Sequence, residues 1–182
     1  MINKKILINF FDLLNQKAKD YYEDFNSIDG QLGDGDLGIT ITKGIEEICN
    51  NKEGFEEDMG KNFLLCSKLF TKVSSSSFGT LTSISFFNLA KLYKNKKEIS
   101  KYDIILGLEK IIEAISVRGK SKIGDKTALD TLNEIVNNLK LTSNEDLGFV
   151  VNKACIQSLI NFKGRECKIG RARMYAEKSK NL

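Results

Sequence analysis

Apolar residues recur at three- and four-residue intervals along most of this chain, which is the period of a helix with one buried face. Leu7, Phe10, Phe11 and Leu14 open the first run and predict a helix over about residues 3–26. Phe63, Cys66, Phe70 and Val73 mark another. The segment from Gly79 to Tyr93 reads as a buried helix containing Phe86, Phe87 and Leu89. Ile104, Leu108, Ile111 and Ile115 form a further stripe, reinforced by Ile105 and Ile112. Leu129, Leu132, Val136 and Leu139 give the next, and Leu147, Val150, Val151 and Ala154 the one after. The chain beyond Gly170 reads as a short polar terminal helix. Alternating runs that would predict strands are missing, and the connections are short. The expectation is an all-α fold, a bundle of about eight antiparallel helices, in one domain spanning residues 1–182.

Composition narrows this picture. Proline is absent, so no helix meets a proline break. Basic residues number 28 and acidic residues 24, a net charge of +4 that is too small and too dispersed for a nucleic-acid surface. Lys94, Lys96 and Lys97 read as a solvated helix end. Four cysteines (Cys49, Cys66, Cys155 and Cys167) form no CxxC pair, and the chain has no histidine, which excludes the usual zinc sites. Free thiols fit a reducing cytoplasm, the expected location. Asp12 interrupts the apolar run after Lys4 and Lys5, so the N-terminus does not read as a signal peptide. No apolar stretch reaches the roughly 18 residues that a membrane span needs.

Non-helical punctuation gathers at residues 29–38, 74–79 and 118–127. The first reads Asp29-Gly30-Gln31-Leu32-Gly33-Asp34-Gly35-Asp36-Leu37-Gly38. A plain helix connection needs one glycine, and four here indicate a loop shaped around a ligand. Glycine lets the backbone fold back, so Asp29, Asp34 and Asp36 can converge. Converging carboxylates repel one another unless a cation neutralises them. Hard oxygen ligands without Cys or His favour Mg²⁺ or Ca²⁺. An EF-hand is excluded, because counting from Asp29 the third position is Gln31 and the twelfth is Thr40 instead of Glu. The other reading is an Asp/Gly-rich surface turn with no ion.

Ile39-Thr40-Ile41-Thr42 then opens a helix, whose N-terminus suits phosphate; Thr40 either caps it or touches a phosphate. Ser74-Ser75-Ser76-Ser77-Phe78-Gly79-Thr80 offers donors to an anion or is a flexible polar linker. The segment Arg118–Thr127 nearly mimics a Walker A loop. However, Asp125 separates Gly124 from Lys126, and a helix stands where the preceding strand should be, so it is not a P-loop. Asp125 reads as a cap for the following helix or as a residue supporting the site.

These residues carry a family resemblance. Asp29–Gly38 resembles the aspartate-rich loop of the dihydroxyacetone kinase L subunit, an ADP/ATP-binding kinase subunit. Gly124-Asp125-Lys126-Thr127-Ala128-Leu129-Asp130 is similar to that family's Gly-Asp-Lys-Thr-Met-Leu-Asp segment. Gly170-Arg171-Ala172 with Glu177-Lys178-Ser179 resembles its tail. The motifs follow family order from residue 29 to 179. The chain departs from the family at Leu37-Gly38-Ile39-Thr40, where His-Gly-Thr-Asn is usual, and at Ser75, Ser76, Phe78 and Ala128.

The resemblance implies an eight-helix barrel with the nucleotide at one end. Asp29, Asp34 and Asp36 are then the metal ligands and catalytic centre, holding two Mg²⁺ ions that bridge the phosphates of ADP or ATP. Leu37, Gly38, Ile39, Thr40, Ser76, Ser77 and Gly119 would line the nucleotide, Ala128 would lie against adenine, and Arg171 would reach the phosphates. The expected reaction is phosphoryl transfer to a small ketose. In the family a K-type subunit holds that ketose through a histidine, and this chain has no histidine, so it needs that partner. A phosphotransferase-system M-type subunit that rephosphorylates bound ADP is the second implied partner, and a homodimer stays open. A nucleotide-sensing regulatory subunit, or a kinase for another small ketose, are the alternatives.

Overall fold

The computed structural model describes residues 1–142 and 146–181. Among these the fold is all-α: nine α-helices, two short 3₁₀ turns and no strand, with a single two-residue bridge between Ile2 and Ile99. The chain divides into two compact units, Met1–Ala114 and Ile115–Leu182.

The first unit contains α1 (Lys4–Asp20), α2 (Tyr22–Asp29), α3 (Leu37–Asn50), α4 (Met59–Val73), α5 (Ser77–Leu92) and most of α6 (Lys101–Gly119). Its core is aromatic. The Phe86 ring lies 6.1–6.3 Å from those of Phe11, Phe63 and Phe70, so α1, α4 and α5 meet on one side chain. Helices α4 and α5 run antiparallel: the Gly60 amide donates to the Tyr93 carbonyl, and the Ser67 hydroxyl to the Ser83 carbonyl at 2.8 Å. Phe87 is not buried as expected but 42% exposed, with the Lys91 ammonium 4.3 Å from its ring centre. Adjacent residues point about 100° apart on a helix, so Phe86 and Phe87 cannot both face the core.

The single helix expected over residues 3–26 is two. The chain leaves helical geometry at Tyr21, between α1 and α2. The core stripe Leu7, Phe11 and Ala18 ends there, and α2 buries no residue. The redirected α2 instead carries Asn26 and Asp29 to the start of α3.

At the start of α6, Asp103 accepts the Ser100 amide and hydroxyl at 2.9 and 2.7 Å and pairs with the Lys96 ammonium. Lys96 and these two bonds hold its carboxyl down to about 2. A depressed carboxylate contributes stability above its unfolded value and loses it as pH falls through the folded one. Asp103→Asn is therefore expected to lower the melting temperature at pH 7. The gap to the parent should narrow from about pH 4 and close near pH 2, as read by thermal melts across that range.

In the second unit, α7 (Ala128–Leu141) packs on α8 (Leu147–Phe162) through buried Leu129, Val136, Leu139, Val150 and Ala154. The buried face of α8 is Val150, Ala154 and Ser158, and Leu147 lies off it, 38% exposed. A 3₁₀ turn (Arg171–Tyr175) and α9 (Ala176–Ser179) form the expected terminal segment. Among the described residues, no helix is long and apolar enough to cross a membrane.

Candidate metal centre

Asp29 ends α2 and Asp36 immediately precedes α3, so the aspartate loop is the whole connection between them. Asp29 organises it. Its Oδ2 accepts the Gly35 amide at 2.8 Å and the Asp36 amide at 3.1 Å, which folds the loop back onto its own start. The fold-back passes through Gly35 at φ +73°, a conformation that glycine adopts without a Cβ penalty. As a result Asp29, Asp34 and Asp36 each present a carboxylate oxygen within 4.8 Å of the other two. Asp29 and Asp36 are half-buried and Asp34 is exposed.

Asp36 occupies the position where an aspartate normally caps a helix, yet its side chain makes no cap bond. Asn26 caps α3 instead: its Oδ1 accepts the Gly38 and Ile39 amides at 2.8 and 3.3 Å. The Asp36 carboxylate is thereby left to the cluster. This close crossing needs Gly38, since a Cβ there would collide with the Tyr22 carbonyl oxygen and the Asn26 amide. Sequence reasoning missed Asn26, because it lay inside the expected first helix with nothing to distinguish it from a surface polar residue. Three converging carboxylates with no nitrogen or sulfur ligand offer the hard oxygen donors that a cation such as Mg²⁺ or Ca²⁺ takes.

Thr40 does not cap α3. It is buried one turn into the helix, and its hydroxyl lies 3.0 Å from that of Ser76. Ser76 is itself the cap of α5, accepting the Gly79 amide at 3.0 Å, so residues 74–79 are an ordered helix start, not a flexible linker. The Thr40–Ser76 contact sets the N-termini of α3 and α5 side by side, next to the carboxylates. Leu37 and Ile39 are half-buried, Gly38 is buried and Ser77 is exposed. Two concavities of the first unit lie elsewhere. One is an apolar cavity of about 370 Å³ beside Phe10, Phe63, Phe86 and Ile111; the other is a polar cleft at the α1 N-terminus.

The remaining predicted contacts belong to the second unit. Gly119 ends α6 and is half-buried, Ala128 opens α7 and is exposed, and Arg171 opens the 3₁₀ turn and is exposed. Asp125 is buried but does not cap α7; its Oδ2 accepts the Lys122 amide at 2.9 Å and closes the turn before it. The cap is Thr127 paired with buried Asp130, whose two oxygens take the Thr127 amide at 2.7 Å and the Gly124 amide at 2.5 Å. The motif 124–130 is thus a knot of backbone amides around two buried carboxylates.

The sequence profile described as the DAK2 domain matches residues 31–182. The chain belongs to the DAK2-domain family. Within and around that family it is 27% identical, over 174 residues, to the PTS-dependent dihydroxyacetone kinase, ADP-binding subunit DhaL, of Lactococcus lactis subsp. lactis (strain IL1403). That alignment covers 93% of this chain and 86% of the relative. It is 27% identical over 185 residues to the PEP-dependent dihydroxyacetone kinase 1, ADP-binding subunit DhaL, of Listeria innocua serovar 6a, covering 97% and 86%. It also matches the L-erythrulose kinase of Pectobacterium atrosepticum, at 28% over 162 residues, covering 84% of this chain but 27% of that one. Among solved structures, the dihydroxyacetone kinase of C. freundii superposes with a TM-score of 0.71 at 18% identity, covering 99% of this chain and 32% of that one. That likeness is one of fold, all-α in this chain.

Proposed function

We propose that this chain is the nucleotide-binding subunit of a dihydroxyacetone-type kinase. The observation that carries the reading is the convergence of Asp29, Asp34 and Asp36 beside the paired N-termini of α3 and α5. Family membership and two near-full-length relatives that are ADP-binding subunits support it. In this reading the three aspartates hold magnesium, two ions on the family pattern, and the phosphates of ADP or ATP lie against the helix starts. Magnesium, when bound, supplies the positive charge that a transferring phosphoryl group needs. The chain's own residues position the phosphates. Asn26 already occupies the Gly38 and Ile39 amides, so the phosphate-facing donors are those of the α5 first turn at Ser77 and Phe78, whose amides a helix does not satisfy internally. Leu37, Gly38, Ile39, Thr40 and Ser76 shape that wall. Gly119, Ala128 and Arg171 are proposed as further nucleotide contacts on family grounds.

The chain has no histidine, so the ketose is held by a K-type partner subunit, and an M-type phosphotransferase-system protein is the proposed source of new phosphoryl groups. The likeness to an L-erythrulose kinase keeps a second small ketose in view as substrate. The direct test is a melting series with ADP, with and without Mg²⁺. At a hundredfold excess over the dissociation constant, ADP with Mg²⁺ is expected to stabilise the chain by about 2.7 kcal/mol. An equal shift in the absence of Mg²⁺ contradicts the metal assignment, and no shift at all contradicts nucleotide binding.

A further inference from the structure

Gly35 is a glycine for the sake of its backbone, whereas Gly33 has a negative φ that any residue adopts. What Gly33 lacks is room. A Cβ there would overlap Oδ1 and Cγ of the Asp29 carboxyl. It would also stand 2.9 Å from the Asp29 carbonyl oxygen, which accepts the Gly33 amide at 2.5 Å. The Asp29 carboxyl therefore occupies the place that a side chain at residue 33 would take. Its other oxygen is held as well. Oδ2 accepts the Gly35 and Asp36 amides at 2.8 and 3.1 Å. A carboxylate oxygen has two lone pairs, so these two donors fill Oδ2 and leave Oδ1 as the oxygen open to an ion. Asp29 is fixed by its own loop on two sides, and it can give a cation one oxygen only.

We propose that the loop makes Asp29 a fixed one-oxygen ligand, that Gly33 is the positioning residue that permits this, and that the centre in consequence selects Mg²⁺ against Ca²⁺. The inference rests on the metal reading above and deepens it. Selection between these two ions depends on the number of ligands and the rigidity of the site. Mg²⁺ takes about six ligands in a strict octahedron and fills its shell with water or phosphate, so single carboxylate oxygens suffice. Ca²⁺ takes roughly six to eight oxygens and gains from carboxylates that grip with both oxygens in a site that can adjust. Asp29 offers neither the second oxygen nor the freedom to turn. A methyl group at residue 33 expels the carboxyl from its place, breaks the two Oδ2 bonds and ends both constraints.

The experiment uses the full chain without nucleotide and Mn²⁺ as a paramagnetic stand-in for Mg²⁺. Bound Mn²⁺ is followed by electron paramagnetic resonance while Mg²⁺ or Ca²⁺ displaces it. In the parent, Mg²⁺ is expected to displace Mn²⁺ at a concentration about tenfold or more below that of Ca²⁺. Gly33→Ala should weaken Mn²⁺ binding roughly 10- to 100-fold, the usual loss when a group that orients a ligand is disturbed. Its remaining sites should no longer prefer Mg²⁺. Amide exchange read by nuclear magnetic resonance should speed at Gly35 and Asp36, while the amides of α3 and α4 keep their protection. Equal displacement by the two ions in the parent overturns the selection by a one-oxygen Asp29. Parent-like Mn²⁺ affinity in Gly33→Ala overturns the role of Gly33, as does loss of α3 and α4 protection, which makes it a general packing residue. A parent that binds Mn²⁺ without preference thus sinks this inference alone, whereas a parent that binds no Mn²⁺ sinks the metal reading and this inference together.

Discussion

Asp34→Ala is expected to erase the magnesium-dependent part of ADP stabilisation. For a chain of this size about 2.7 kcal/mol corresponds to roughly 5–10 °C in melting temperature. In the variant, the shift with Mg²⁺ should fall to the shift without it. The ligand-free protein should change little, because Asp34 is exposed. Asp29→Ala behaves differently: it removes a carboxylate of the proposed metal centre and also the acceptor of the Gly35 and Asp36 amides, so the ligand-free protein is destabilised as well. Melts of both variants with ADP, with and without Mg²⁺, separate the two roles. Full retention of the magnesium-dependent shift by Asp34→Ala rules out the carboxylate cluster as the ion's site.

The second large effect is expected from Gly38→Ala. The added methyl group meets the Tyr22 carbonyl oxygen, which belongs to the backbone of α2 and cannot swing aside. Relief requires α2 and α3 to separate. Overpacking of this kind costs about 1–3 kcal/mol, and separation also breaks the Asn26 cap, worth about 1 kcal/mol more. The loss is several times the usual effect of adding one methyl group to a helix, which by propensity alone is favourable. Separation also moves Asp36 away from Asp29, so magnesium-dependent ADP binding should weaken together with stability. Chemical denaturation gives the first quantity and titration calorimetry with Mg–ADP the second. A Gly38→Ala protein as stable as the parent contradicts the close crossing.

Much of this molecule was legible in the residue pattern, because helical periodicity and glycine content are local properties. The stripe Phe63, Cys66 and Phe70 became the buried face of α4, Leu129, Val136 and Leu139 that of α7, and α3 began at Leu37, two residues before the helix start expected at Ile39. The rule against an EF-hand and the absence of histidine needed no coordinates either. What periodicity could not report was which of two adjacent aromatics faced inward, since Phe86 and Phe87 are equally apolar. It also could not show where a continuous helical pattern would bend, since Tyr21 is neither glycine nor proline.

By itself, then, the sequence determined an all-helical chain of the DAK2 type with three aspartates in one glycine-rich connection. Tertiary structure alone decided which atoms those aspartates spend on the fold. Asn26 takes over the cap of α3 and leaves Asp36 to the cluster, Asp29 gives its Oδ2 to two loop amides, and Thr40 meets Ser76 across 36 positions of chain. The reason is physical: a hydrogen bond between residues far apart in sequence depends on how helices cross. That crossing is set by the packing of whole faces, such as Gly38 against the α2 backbone, rather than by any residue's own propensity.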